Sequence, residues 1–411
     1  MGYNTAIMGK TFGRPLFAAP LLLLMLLASC LPSQGVDRMA APYGEDTLGQ
    51  HVETLVQRIG QRLQSPPEGD LSTEQEVGLV DEYFSLTAQI SRLSRELMAG
   101  RRLEDWTTRA LSEQLDWARQ RRESLKTGVE AIIGRQVGEA LRQAGLGASL
   151  GPQESGWFFP PSEFFLLKPP FVLVTSPKER IEISSSYLLS PQLSKDTIEA
   201  IEKSVEAEGV SALVEVTGGF SLYPAWVSED DSLRRTLQVA AHEWSHAYLF
   251  LFSALGRAYF QDHQMRTINE TVADIIGREI GQQVYRRYYA PVEQPAALAA
   301  VTAMRERELD FGRLMRGIRG SVEEMLAQGR VVEAEAVMET ERGRLSDRGF
   351  YVRRLNQAYL ALHSSYADSP GFESPIGTAL QELRARSPSL GDFVSRVGSV
   401  STYADFERLV E

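Results

Sequence analysis

Apolar residues recur at three- and four-residue steps through most of the chain, and that spacing predicts helices. Residues 73–99 place Val77, Val80, Phe84, Ile90, Leu93 and Leu97 this way. Residues 102–144 do likewise with Leu103, Trp106, Leu111, Leu115, Leu125, Val129, Ile132, Val137 and Leu141. Gly100 separates the two runs, so an antiparallel helical hairpin with coiled-coil-like packing is expected. A short helix at 48–64 should precede it, ended by Ser65-Pro66-Pro67. At Gly145 the pattern changes. Trp157-Phe158-Phe159-Pro160-Pro161 opens a proline- and aromatic-rich part. Strands are expected at Phe171–Thr175, Arg180–Ser184, Val210–Val216 and Phe220–Val227, with an amphipathic helix over 194–207. Two further helices follow, one around residue 242 that is apolar nearly all round, and one carrying the stripe Ile268, Val272, Ile275, Ile276 and Ile280. From Pro295 helices are expected at 295–328, 331–345, 350–366, 373–386, 389–397 and 402–410. The order predicts a mostly helical α+β fold in three parts: a hairpin region at 48–150, a core at 151–290 and a C-terminal helical lobe at 291–411.

The first residues follow another pattern. Lys10 and Arg14 precede the apolar run Leu16–Leu27, which is too short for a comfortable transmembrane helix and reads as a secretory leader. It ends Leu27-Ala28-Ser29-Cys30, which resembles the lipobox of bacterial lipoproteins. Cys30 is the only cysteine of the 411 residues. A lone thiol there is hard to explain as packing and easy to explain as a lipid attachment site. Residues 1–29 are therefore expected to be a lipoprotein signal peptide. Residues 30–47, with Pro32, Ser33, Gly35, Pro42 and Gly44, are expected to tether the body to the membrane outside the cytoplasm. The formal net charge is −11. No basic stretch interleaved with aromatics stands out, so no nucleic-acid partner is expected.

The buried helix carries the chemistry. It contains His242-Glu243-Trp244-Ser245-His246, two of the five histidines of the chain. Positions i and i+4 of a helix share a face, so both imidazoles can reach one Zn²⁺, and the glutamate between them can act as base on a metal-bound water. A carboxylate buried among Val239-Ala240-Ala241 and Ala247–Phe252, without Lys or Arg beside it, also calls for a cation. On the next helix Glu270 and Asp274 stand four apart. Two carboxylates so placed repel each other on an ordinary helix. The pair becomes sensible if Glu270 binds the metal and Asp274 accepts a hydrogen bond from a ligating histidine. Gly277 would let the two helices approach closely.

HExxH followed by NExxxD resembles the gluzincin zinc metallopeptidases, the thermolysin-like and aminopeptidase-like clan. The resemblance covers residues 236–282. It implies a zincin-like core, a small mixed sheet with the HExxH helix and a third-ligand helix. His242, His246 and Glu270 would be ligands of one Zn²⁺, Glu243 the general base, and Asp274 the partner of His242. Leu249 and Phe252 stand where a metzincin needs Gly and His, which excludes that clan. The strand before the HExxH helix would pair with extended substrate, here Gly219–Trp226 with Gly219, Phe220 and Ser221 nearest the cleft. A fainter similarity, Leu355–Tyr366 to a segment of bacterial lipoprotein aminopeptidases, suggests where an oxyanion donor lies: Arg353, Tyr359, His363 or Tyr366.

These features imply a lipid-anchored zinc peptidase acting on peptides or proteins. Exopeptidase and endopeptidase activity both remain open. The glycine-bearing strand lacks the acidic residue with which one large aminopeptidase family holds a free amine. The alternative is a non-catalytic zincin-like scaffold whose helical lobes bind a protein partner; Glu243 argues against it, since a scaffold needs no general base.

Overall fold

The computed structural model describes residues 40–44, 71–98, 105–150, 157–217, 219–220, 224–290, 295–364 and 375–411. Cys30, the leader, the helix expected at 48–64, Ser221 and Tyr366 lie outside the described residues. The fold is mostly helical with small sheets, an α+β arrangement. Among the described residues no helix is long and apolar enough to cross a membrane.

Helices α1 (Thr73–Met98) and α2 (Asp105–Gln143) form the expected hairpin. A short antiparallel pair follows, β1 (Ala148–Leu150) with β2 (Trp157–Phe159). Two three-stranded sheets come next. In one, β3 (Phe164–Leu167) runs parallel to β8 (Ala225–Ser228), which pairs antiparallel with β7 (Gly219–Phe220). In the other, β4 (Phe171–Pro177) lies between β5 (Ser185–Leu189) and β6 (Val210–Val216), all antiparallel. Helix α3 (Lys195–Glu206), capped by Ser194, packs on the second sheet.

Several of these strands differ from expectation. The single strand expected over Phe220–Val227 is instead a turn-back pair, with Phe220 opposite Trp226 and Gly219 opposite Val227. The strand expected at Arg180–Ser184 begins at Ser185. Its first residues are serines, which carry little strand signal; Thr175 Oγ1 meets the hydroxyls of Ser184 at 2.9 Å and Ser185 at 2.6 Å across the pair. Strand β3 was not foreseen, because four consecutive apolar residues, the first three buried, show no alternation.

Helix α4 (Leu233–Phe252) carries HExxH and is capped by Ser232. The short α5 (Ala254–Arg257) turns the chain into α6 (His263–Val284), capped by Asp262. Helices α7 (Pro295–Ala327), α8 (Val331–Asp347), α9 (Gln357–Ser364), α10 (Pro375–Ala385), α11 (Leu390–Val397) and α12 (Tyr403–Val410) complete the chain. The helix expected over 350–366 starts only at Gln357. Asn356 ends the irregular stretch as a cap, its Oδ1 accepting from Tyr359 N at 2.9 Å and its Nδ2 donating to Ala212 O at 2.8 Å.

The cores cut across the three expected parts. One cluster joins the hairpin (Val80, Ile133), the mixed sheet (Leu166, Val227), α4 and α6 (Leu237, Ile276) and α11 (Phe393). A second joins α7, α8 and α9 to Leu213 of β6. A third holds α3 on β4, β5 and β6. Ala40, inside the segment expected to be a free tether, is fully buried in this third core, and Tyr43 O accepts from Ser190 N at 3.0 Å. The hairpin is thus part of the body. Arg122 and Lys126 of α2 reach Glu229 at 3.1 and 2.7 Å, all three buried, and fix the connection from β8 into α4.

A candidate metal centre between two helices

Helices α4 and α6 pack closely because glycine removes the obstacle. A Cβ at Gly277 would stand 2.7 Å from Gln238 O and 3.1 Å from His242 Cβ. One turn on, a Cβ at Gly281 would stand 2.9 Å from Gln238 N. The opposite face of α4 is held by Trp244, which donates from Nε1 to Pro160 O at 2.8 Å and stacks between Phe158 and Tyr248. The helix can therefore neither rotate nor slide freely, and its His242 and His246 face α6.

The imidazole Nε2 atoms of His242 and His246 lie 3.1 Å apart. Glu270 Oε2 lies 3.5 Å from each of them. The three side chains form a group whose ligand atoms converge closely enough to hold one ion. A tetrahedral Zn²⁺ with bonds of about 2.0–2.1 Å keeps its ligand atoms roughly 3.3 Å apart, so the observed spacings suit it.

The other ring nitrogens fix the protons. His242 Nδ1 is 2.9 Å from Asp274 Oδ1, and His246 Nδ1 is 2.9 Å from Asn269 Oδ1. Both partners are oxygen acceptors, so each Nδ1 carries the hydrogen. Each Nε2 is then left with a lone pair, and the two lone pairs face each other beside a carboxylate. A divalent cation resolves that arrangement. Without one, protons must do so. Burial opposes charge on His242, but the hydrogen bond and charge of Asp274, the hydrogen bond of Glu270 and the charge of Glu243 outweigh it and raise its pKa well above the ordinary value. His246 is raised against burial too, chiefly by Glu270. Burial likewise opposes ionised Glu270, yet the two imidazoles keep its pKa well below the ordinary range.

Glu243 is buried beside both histidines. Gly219 of β7 lies directly against its carboxylate: a Cβ there would stand 2.9 Å from Glu243 Cδ and 2.8 Å from Val239 Cγ1. Among the described residues β7 pairs with β8 alone, so its outer edge is unpaired by any strand.

Two residues at the centre were not foreseen. Asn269 precedes Glu270 and orients His246. Tyr259, in the turn between α5 and α6, donates from its hydroxyl to Glu270 Oε1 at 2.5 Å, which leaves Oε2 for the histidines. Its ring meets His246 edge-on at 5.9 Å. No spacing rule links a tyrosine in a turn to a carboxylate eleven residues on. Of the residues proposed from sequence as oxyanion donors, Arg353 and His363 have partners at the second sheet, and Tyr366 lies outside the described residues. Arg353 forks onto Glu202 at 2.9 and 2.5 Å and onto Val214 O at 2.7 Å. His363 Nε2 lies 3.1 Å from Glu215 Oε2, and its ring packs 4.2 Å from that of Tyr359.

No protein family, curated protein or solved structure matches this chain.

Proposed function

We propose that this chain is a zinc-dependent peptidase with a zincin-like core, in which His242, His246 and Glu270 hold one Zn²⁺ and Glu243 is the general base. The observation that carries the reading is the convergence of three ligand atoms, the two Nε2 atoms 3.1 Å apart and Glu270 Oε2 3.5 Å from each, with the buried Glu243 carboxylate next to them. A Zn²⁺ ion held there supplies Lewis acidity and brings the pKa of a water in its open position near neutrality. Asp274 and Asn269 keep the imidazoles in the ligating tautomer, and Tyr259 turns the Glu270 carboxylate toward them. An extended peptide added to the outer edge of β7 would pass over Glu243, because Gly219 puts no side chain between them. Glu243 then accepts a proton from water and delivers it to the leaving amine.

Glu243→Gln keeps size and removes the base. It should retain zinc and lose peptide hydrolysis by about 10²–10⁴-fold. Asp274→Asn should be milder, about 10–100-fold, acting through His242. Hydrolysis at wild-type rates by Glu243→Gln would show the role misassigned; no cleavage of any peptide by the wild-type chain would favour the scaffold reading. We also propose that Cys30 carries lipid and holds the protein on a bacterial membrane outside the cytoplasm. Cys30→Ala should leave the membrane fraction, and recovery of an unmodified Cys30 thiol by mass spectrometry would contradict it.

A further inference from the structure

Arg266 stands one turn before Glu270 on the same ridge of α6. Its guanidinium lies 5.6 Å from the centroid of the Tyr259 ring, the tyrosine that donates to Glu270. The Nε of Arg266 is buried without a hydrogen-bond partner, and no carboxylate pairs with the side chain among the described residues. Both features are unfavourable as they stand. A buried charged donor left unpaired is destabilising. A cation in the first turn of a helix faces the positive end of the helix dipole. Further positive charge is close. Burial lowers the pKa of His263, and Arg266 and Arg319 lower it further. The nearby acids have partners already: Asp262 caps α6, Glu182 pairs with Arg180, and Glu323 pairs with Arg319 at 2.6 Å. Beside these paired acids, Arg266 Nε is left without a partner.

We propose that Arg266 forms a carboxylate-binding subsite beside the metal centre, and that the substrates are peptides bearing a carboxylate near the cleaved bond. The proposal rests on the peptidase reading above. A guanidinium fork matches a carboxylate with two parallel hydrogen bonds. Arg266 reaches the centre through Tyr259, whose ring it faces and whose hydroxyl donates to Glu270, so a carboxylate held by it would lie near the metal site. Glu243, Glu270 and Asp274 would otherwise repel an anionic substrate from this cleft. The carboxylate is a free C-terminus or an acidic side chain; the recognition chemistry is the same.

The test is calorimetric titration of the zinc-loaded full chain carrying Glu243→Gln, so that peptides bind without turnover. Three peptides of one sequence are compared: free C-terminus, amidated, and amidated with an Asp near the cleaved bond. One carboxylate-bearing peptide should bind about 10–100-fold more tightly than the neutral amide, and the winner identifies the source. Adding Arg266→Gln should reduce the preference to within about twofold with zinc content unchanged, and Arg266→Lys, which keeps charge but loses the fork, should fall between. Equal affinity for all three peptides, or an undiminished preference in Arg266→Gln, overturns the subsite. A carboxylate preference with no hydrolysis by the Glu243-intact chain would keep the subsite and remove the peptidase reading.

Discussion

At the scale of single residues the centre is a competition between protons and a cation. In the metal-free triad the pKa values of His242 and His246 are raised above the ordinary 6.5. Those protons must leave before the Nε2 atoms can ligate. Zinc affinity should therefore fall as pH drops, beginning above the pH where a free histidine would begin to protonate, and binding should release protons. Titrations in buffers of different ionisation enthalpy check this; affinity independent of pH between about 6 and 8 would contradict it. The ligand positions were legible in the sequence because His242 and His246, and Glu270 and Asp274, obey helical spacing. Asn269 and Tyr259 were not legible in their roles, since both depend on how α6 and the preceding turn sit against α4. The partners of Arg353 and His363, Glu202 of α3 and Glu215 of β6, were not legible for the same reason: a chemically suitable side chain says nothing about which element it packs on.

Elements place those residues. The closeness of α4 and α6 depends on Gly277, whose missing side chain admits Gln238 O and His242 Cβ. Gly277→Ala should push the helices apart, lower stability by about 1–3 kcal/mol and weaken zinc retention. Gly343 of α8, with nothing within 4 Å of an added Cβ, is the control: Gly343→Ala should be neutral or stabilising by up to ~1 kcal/mol. Denaturant unfolding of both variants checks the contrast, and equal behaviour would remove the close-packing argument. The long helices were readable because their apolar stripes repeat over many turns, as in α1 and α2. The strands were harder. β3 is buried on both faces and shows no alternation, and β7 and β8 form a tight pair within what looked like one run. Local pattern reports burial well and strand partnership badly.

For the whole molecule, one core joins the hairpin, the mixed sheet, α4, α6 and the last three helices. The hairpin packs on α4 and α6 and is clamped by Arg122 and Lys126 on Glu229 just before α4. At the other side Arg384 of α10 forks onto Glu279 of α6 at 2.7 and 2.8 Å. Parts distant in sequence thus hold the two ligand helices in place, which no division of the chain into three consecutive parts predicts. The central claim is that this scaffold exists to hold a metal ion at His242, His246 and Glu270. Metal analysis of the purified full chain tests it most directly. The account predicts about one zinc per chain, lost in the His242→Ala, His246→Ala double variant while the fold remains. Undiminished zinc in that variant, or a wild-type chain that binds none, would contradict it.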